Sequence, residues 1–253
     1  MRSVLTFDEA VPPAPLPPRR LGEEVLVVLA LSLLASAVFA AINLVTAPVA
    51  GVTVASVSQD VVFARQLASF VFGLAPVWLV LYLVRRDGEG VGAIGMAWNR
   101  PRFDIGLGVA LAVVIGAAGI GLYLVAVELG VNRFVVPAPP LGHWWTVPVL
   151  VLNAVEAGLL EETIVAGYLI TRLQQLGVRT PWAIVGSAGL RASYHLYQGW
   201  GGFLGNLAMG LLLGWVFARW RRTWPLVIAH VLIDVGAGLG WIVFRDRLPG
   251  FGG

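Results

Sequence analysis

The sequence predicts an all-α membrane protein, a polytopic bundle of about seven transmembrane helices. Hydrophobic residues make up 58% of the 253-residue chain and charged residues only 12%, whereas soluble domains carry about 25% charged residues. Apolar segments near the length of about 20 residues that spans a bilayer as a helix recur along the chain. The arginines gather at alternate ends of these segments. Together, these observations indicate an integral membrane protein.

Seven apolar segments carry the predicted spans. They run approximately over residues 25–46, 66–84, 105–127, 146–170, 181–195, 203–219 and 225–244. The fifth segment is short for a span. We therefore expect it either to be partly submerged or to lie where its neighbours thin the bilayer.

The distribution of arginine predicts the orientation, because cytoplasmic loops collect basic residues. All 17 basic residues are Arg. Seven spans place most of them on one side, namely Arg19, Arg20, Arg85, Arg86, Arg100, Arg102, Arg172, Arg179, Arg219, Arg221 and Arg222. The opposite side holds Arg65, Arg133, Arg245 and Arg247. The N terminus is therefore expected in the cytoplasm and the C terminus outside.

Four regions are predicted along the chain. Residues 1–20 are rich in proline and poor in periodic apolar residues, which predicts a disordered cytoplasmic tail. Residues 21–145 form N-terminal transmembrane helices and loops. Residues 146–245 form a helical core that carries the chemistry, and residues 246–253 form a short tail.

Composition also limits the partners. The net charge of +3 comes from dispersed arginines, so nucleic acid is not an expected partner. The absence of Cys excludes disulfides and thiolate ligands, and any metal would have to use His and carboxylate groups. The Arg-only, GC-rich composition favours a bacterial plasma membrane as the location.

Five ionisable side chains fall inside or at the edge of the apolar segments: Glu161, Glu162, His195, His230 and Asp234. A charge at the bilayer centre costs roughly 2.5 to 3.5 kcal/mol, so several in neighbouring helices indicate a functional site. The adjacent glutamates need a cation, a metal or hydrogen-bond donors to ionise together. His230 and Asp234 are spaced i, i+4 and can face one cavity. Three predicted helices thus converge on it.

Arg191 lies one turn before His195 and shares its helix face. For any one of these polar residues the alternative is a hydrogen bond that joins two helices without further function. The occurrence of all these polar residues in neighbouring helices favours a functional site over isolated hydrogen bonds between helices.

Over roughly residues 146–244 the chain resembles the CPBP intramembrane endopeptidases, a family also called Abi or CAAX-type. This family is related to the type II CAAX prenyl protease. The family pattern is two glutamates, three intervening residues and then Arg and Gly, followed by Phe-x-x-x-His and by His-x-x-x-Asn or Asp. The corresponding residues here are Glu161 and Glu162 with Ala166 and Gly167, then Arg191-x-x-x-His195, then His230-x-x-x-Asp234.

Two positions depart from the pattern. Ala166 replaces the motif Arg, and Arg191 replaces the motif Phe. We predict that Arg191 restores the missing charge by pairing across helices with Glu162. In the alternative, the chain is an inactive relative in which Arg191 only extends to the membrane interface.

The resemblance implies a mechanism. Glu161 would activate a water for attack on a peptide carbonyl, with His195 sharing or orienting the proton. His230 would stabilise the oxyanion or assist the leaving amine, and Asp234 would orient His230. The family is often described as metalloproteases, and Glu161, His195 and His230 could also bind a divalent metal such as zinc. Both mechanisms stay open at this stage.

The expected substrate is a membrane-embedded peptide or lipoprotein, and a prenylated substrate is not expected in a bacterium. Two further classes remain open. One is a proton-coupled carrier that uses the buried Glu and His residues, and the other is an inactive relative that binds or escorts membrane proteins. The sequence does not indicate an oligomeric state.

Overall fold

The structure, a computed structural model, describes residues 17–33, 37, 59–129, 139 and 141–245. Every element in these ranges is helical, which confirms the all-α class. The α-helices are α1 Pro18–Leu31, α2 Gln59–Gly73, α3 Ala75–Arg86, α4 Pro101–Glu128, α5 Thr146–Glu161, α6 Ile170–Gln175, α7 Thr180–Tyr194, α8 Trp200–Trp220 and α9 Trp224–Phe244. Short 3₁₀ helices occupy Val91–Ile94 and Leu196–Gln198, and a π-helix, Glu162–Leu169, joins α5 to α6.

Four segments of the described chain are long and apolar enough to cross a membrane: Ser69–Arg86, Pro101–Leu122, Trp200–Trp220 and Trp224–Phe244. Seven spans are therefore not confirmed. The α7 helix has 15 residues, which gives about 22 Å of helix against a hydrocarbon core of about 30 Å. Helix α5, the π-helix and α6 instead follow one another without a break over residues 146–175. The predicted span at 25–46 continues beyond the described part of α1.

The predicted regions at the two ends lie largely outside the described residues. Residues 1–16 and 246–253 belong to this part of the chain. Helix α1 begins at Pro18, within the predicted tail, and proline at the first helical turn is favourable because its missing N–H would have no partner there. The last residues of the predicted tail are therefore helical.

Helix α9 packs against both α4 and α5, and α7 packs against α8. Gly158 lets α5 and α9 approach closely, because a Cβ at this position would lie 2.9 Å from Val231 Cγ2 and 3.2 Å from the Val227 carbonyl oxygen. The same Cβ would lie 3.6 Å from His230 Cβ. This approach brings the end of α5, where Glu161 lies, alongside His230.

The π-helix lies at the centre of the molecule, and all eight of its residues are buried. Ile164, Val165 and Tyr168 belong to one apolar cluster, whereas Ala166 belongs to a second. Gly167 is a point of close approach, since a Cβ there would lie 2.8 Å from the Ile94 carbonyl oxygen. Packing on both sides therefore holds the segment that begins with Glu162. Such π-helical segments are rare and are frequent at functional sites.

A buried arginine attaches the N-terminal helices to the end of this central segment. The Arg172 side chain is completely buried, and its Nη1 donates to Glu89 Oε2 at 2.8 Å. Its Nη2 donates to Glu24 Oε1 at 3.3 Å and lies 3.5 Å from Asp87 Oδ2. Tyr168 in the π-helix donates its hydroxyl to the same Glu24 oxygen at 3.0 Å. Helix α1 is thereby bonded directly to the π-helix and α6.

Replacing Arg172 by methionine is expected to destabilise the protein by about 3 to 5 kcal/mol, because the change leaves buried carboxylates without their cation. The control is Arg86→Met, because Arg86 contacts the same two carboxylates, Asp87 at 3.0 Å and Glu24 at 3.9 Å, from a side chain that is half exposed. Solvent screens a half-exposed guanidinium, so Arg86 is expected to contribute only about 0 to 1 kcal/mol. Unfolding of both variants in lipid nanodiscs measures the difference. Equal loss of stability in the two variants would contradict this role of Arg172.

Candidate active site

The structure brings the predicted site residues together from three helical segments. Glu161 ends α5 and Glu162 begins the π-helix. His195 directly follows α7, and His230 and Asp234 lie one turn apart on α9. The site is thus built at the point where α5, α7 and α9 meet.

Arg191 of α7 joins the two glutamates. Its side chain is buried, with 1% exposed, and its Nη2 donates to Glu162 Oε1. Its Nη1 lies 3.3 Å from Glu161 Oε2. The pairing with Glu162 that the sequence predicts is present. One planar guanidinium carries enough donors for two carboxylates, and its charge offsets their mutual repulsion.

Ala166, at the position of the motif Arg, lies in an apolar environment. It is 3% exposed and belongs to the cluster that includes Ile170, Phe217 and Leu226. A charged side chain at this position would be buried among apolar groups. In this chain the cation reaches the glutamate pair from α7 instead.

His230 lies between two carboxylates. Its Nδ1 is 2.8 Å from Glu162 Oε1, the same oxygen that accepts from Arg191. Its Nε2 is 3.4 Å from Asp234 Oδ2, which is a long contact. The Glu162 side chain is fully buried, whereas 13% of the Glu161 side chain is exposed. Glu162 therefore connects α7 to α9, and Glu161 is the carboxylate of the pair that a substrate can reach.

The hydrogen bond of His195 indicates which ring nitrogen carries hydrogen. Its Nδ1 lies 3.0 Å from the Arg191 carbonyl oxygen, and a carbonyl can only accept, so the network assigns the hydrogen to Nδ1. In the neutral ring the lone pair then lies on Nε2, which can accept a proton or bind a water. The ring interacts electrostatically with Glu161. It also packs at 4.7 Å from the Tyr194 ring.

Tyr194 is a site residue that the sequence analysis missed. Its hydroxyl donates to Glu161 Oε2 at 2.7 Å, and its side chain is buried in an apolar cluster. The signal was its place in the chain, because it directly precedes His195 and lies three residues after Arg191 on the same helix. Helix α7 thus supplies a hydrogen bond and an ion pair to Glu161, and it ends directly before the imidazole of His195.

The turn after α7 adds polar groups beside the site. Tyr197 packs at 6.0 Å from the His195 ring, and Gln198 donates its amide to the Tyr197 hydroxyl at 3.1 Å. Partial burial raises the pKa of the Tyr197 phenol above its usual value. The phenol is neutral at ordinary pH, so its hydroxyl keeps a hydrogen that it can donate beside the His195 ring.

The three side chains suggested as zinc ligands have other partners in this arrangement. Within the described ranges, no three His, Asp or Glu side chains are arranged to hold a metal ion. His230 directs its two nitrogens at Glu162 and Asp234, and Glu161 faces the positive charge of Arg191. A catalytic zinc usually needs three free protein ligands. Glu161, His195 and His230 do not provide them in this arrangement.

Removing the cation by Arg191→Met is expected to destabilise the protein by about 3 to 5 kcal/mol, since it leaves Glu162 buried without its charge partner. Adding Glu162→Gln to this variant should restore part of the loss. A double-mutant cycle on unfolding in nanodiscs measures the coupling between the two side chains. Strictly additive effects would mean that the pair contributes nothing, as expected if Arg191 only extended to the interface.

Comparison with known proteins gives one match. Residues 143–236 match the family model of type II CAAX prenyl endopeptidase Rce1-like proteins. The match confirms the resemblance seen in the motifs and contains all the site residues described above, although it covers less than half of the chain. No curated protein and no solved structure matches the chain. The family match indicates a hydrolase of the CAAX protease type and, with the apolar helices, an integral membrane protein.

Proposed function

We propose that the chain is an intramembrane endopeptidase that hydrolyses peptide bonds of membrane-associated peptides or proteins. One observation carries the proposal. The partly exposed carboxylate of Glu161 is held beside His195 by a hydrogen bond from Tyr194 and an ion pair with Arg191, within the region that matches the endopeptidase family. A carboxylate fixed beside an imidazole and within reach of water is positioned for general-base chemistry.

The reaction begins with a water bound between Glu161 and His195 Nε2. Glu161 takes one proton from the water, and the resulting hydroxide forms a bond to the carbonyl carbon of the substrate. The carbonyl oxygen becomes an oxyanion in the tetrahedral intermediate. The proton then passes from Glu161 to the leaving nitrogen, and the C–N bond breaks to give a carboxylic acid and an amine.

His230 is proposed to stabilise the oxyanion through Nε2. Its Nδ1 is held by Glu162, and its Nε2 makes only a long contact with Asp234, so a substrate oxygen can replace Asp234 as the acceptor of the Nε2 hydrogen. A donor aimed at the oxyanion commonly stabilises the transition state by about 3 kcal/mol. An ionised Asp234 accepts hydrogen bonds but cannot donate them, so its proposed role is to orient His230 until the substrate oxygen takes its place.

The substrate is proposed to be a membrane-embedded peptide or lipoprotein of a bacterial plasma membrane. The depth of the site supports this, because Glu161 ends a 16-residue apolar helix and Asp234 lies in the middle of α9. A scissile bond therefore has to enter between helices. The arginine distribution supports a cytoplasmic N terminus.

The primary test is cleavage of a quenched fluorescent peptide library by the purified protein in nanodiscs. Glu161→Gln and His195→Ala are expected to lower kcat/KM by at least about 10²-fold, since general-base help is worth about 10² to 10⁴-fold. Glu156→Gln is the matched control, because Glu156 is a second carboxylate of α5 that lies against Gly73 away from the site. It should leave cleavage within a few fold of the wild type.

Two outcomes would contradict the proposal. Cleavage that survives Glu161→Gln would exclude Glu161 as the base. A folded wild-type protein that cleaves no peptide would favour the inactive escort protein, and proton-linked uptake by reconstituted vesicles would favour the carrier.

Chelation tests the mechanism separately. Because the described side chains do not form a zinc ligand set, 1,10-phenanthroline should leave kcat unchanged. A loss of cleavage that added zinc restores would show that a metal takes part and that the side chains rearrange to bind it.

A further inference from the structure

One oxygen of Glu161 contacts two side chains of α7. The Tyr194 hydroxyl donates to Oε2 at 2.7 Å, and Arg191 Nη1 forms an ion pair with the same atom at 3.3 Å without a hydrogen bond. The two residues are spaced i, i+3 and reach Glu161 from one helix face. Among the described residues, no hydrogen bond to Oε1 is formed. The Glu161 carboxylate is thus held through Oε2 alone.

We propose that Tyr194 is a positioning residue for the base: together with Arg191 it holds Glu161 Oε2, so that Oε1 alone faces the water and the substrate. This inference rests on the proposed function, because it assigns a role within the same reaction. Oε1 is then the oxygen that takes the proton, and Oε2 keeps its contacts with Tyr194 and Arg191 throughout.

Orientation matters because a glutamate side chain has several rotatable bonds. An unrestrained carboxylate would populate several directions, and a displacement of about 1 Å at a reacting group can lower the rate about 10²-fold. Tyr194 is suited to prevent this, since its ring is buried in the apolar cluster with Ile164 and Val165. The hydroxyl therefore projects from a rigid support.

Tyr194 also couples the base to its neighbour. His195 follows it directly, and the two rings lie 4.7 Å apart. Tyr194, which donates to Glu161, and His195 are adjacent at the C-terminal end of α7. The distance between Glu161 and the His195 ring therefore depends on the position of this helix end. A shift of that helix end would move both groups together.

The chain contains a matched control for this role. Tyr168 donates its hydroxyl to Glu24 Oε1 at 3.0 Å, and Arg172 donates to the same oxygen. This trio of Tyr, Glu and Arg repeats the arrangement at Glu161, yet it lies outside the site. Replacing either tyrosine by phenylalanine removes one buried hydroxyl bonded to a carboxylate and changes the volume little.

The experiment compares Tyr194→Phe with Tyr168→Phe in the full-length protein in nanodiscs, on a peptide that the wild type cleaves. Tyr194→Phe is expected to lower kcat about 10- to 100-fold, the effect of losing one hydrogen bond to a charged group. KM should stay within twofold, because the hydroxyl does not contact substrate. Tyr168→Phe should leave kcat within twofold. A kcat unchanged by Tyr194→Phe, or lowered equally by both variants, would overturn the inference.

Infrared spectroscopy separates this inference from the proposed function. The carboxylate stretching band of Glu161, assigned by its loss in Glu161→Gln, is expected to shift in Tyr194→Phe and not in Tyr168→Phe. A wild type that cleaves no peptide would defeat the proposed function, whereas the band still reports whether Tyr194 holds Glu161. An unshifted band in Tyr194→Phe would overturn the inference at any level of activity.

Discussion

The site depends on one interaction, the contact of the Arg191 guanidinium with Glu161 and Glu162. Two adjacent carboxylates inside an apolar helix repel one another and lose the hydration of their charges. The positive charge of the guanidinium offsets both the repulsion and the lost hydration. It also links α7 to the glutamates at the end of α5. His230 of α9 in turn contacts Glu162, so the position of α9 depends indirectly on Arg191.

The surrounding fold makes this contact possible by holding the helices close. Gly158 has no side chain and lets α9 pack closely against α5. Gly167 likewise lets the backbone at Ile94 approach the π-helix. The attraction within a buried ion pair offsets the cost of desolvation only when the partners are held rigidly in good geometry. The tight packing of the π-helix on both faces supplies this rigidity. Stability and the geometry of the site therefore have a common origin in the packing around residues 158–167.

Much of the site was predictable because intramembrane charges must find partners. The spacing of His230 and Asp234, and the cation at Arg191 beside a motif that lacks one, were enough to predict convergence and the pairing with Glu162. Tyr194 was not found, because a tyrosine in an apolar segment carries no motif and its partner depends on how α7 meets α5. The π-helix and the buried contacts of Arg172 depend on long-range packing, which local periodicity does not report. The count of seven spans stays a prediction, because the described residues contain four candidate spans and the first predicted span extends beyond them.

The most direct test of the central claim is a solid-state NMR measurement, in lipid bilayers, of the distance between the Arg191 guanidinium nitrogens and the Glu162 carboxyl carbon, assigned by difference from Arg191→Met. A buried ion pair predicts a distance within about 4 Å. A separation well beyond contact distance, with Arg191 directed to the membrane interface, would contradict the account.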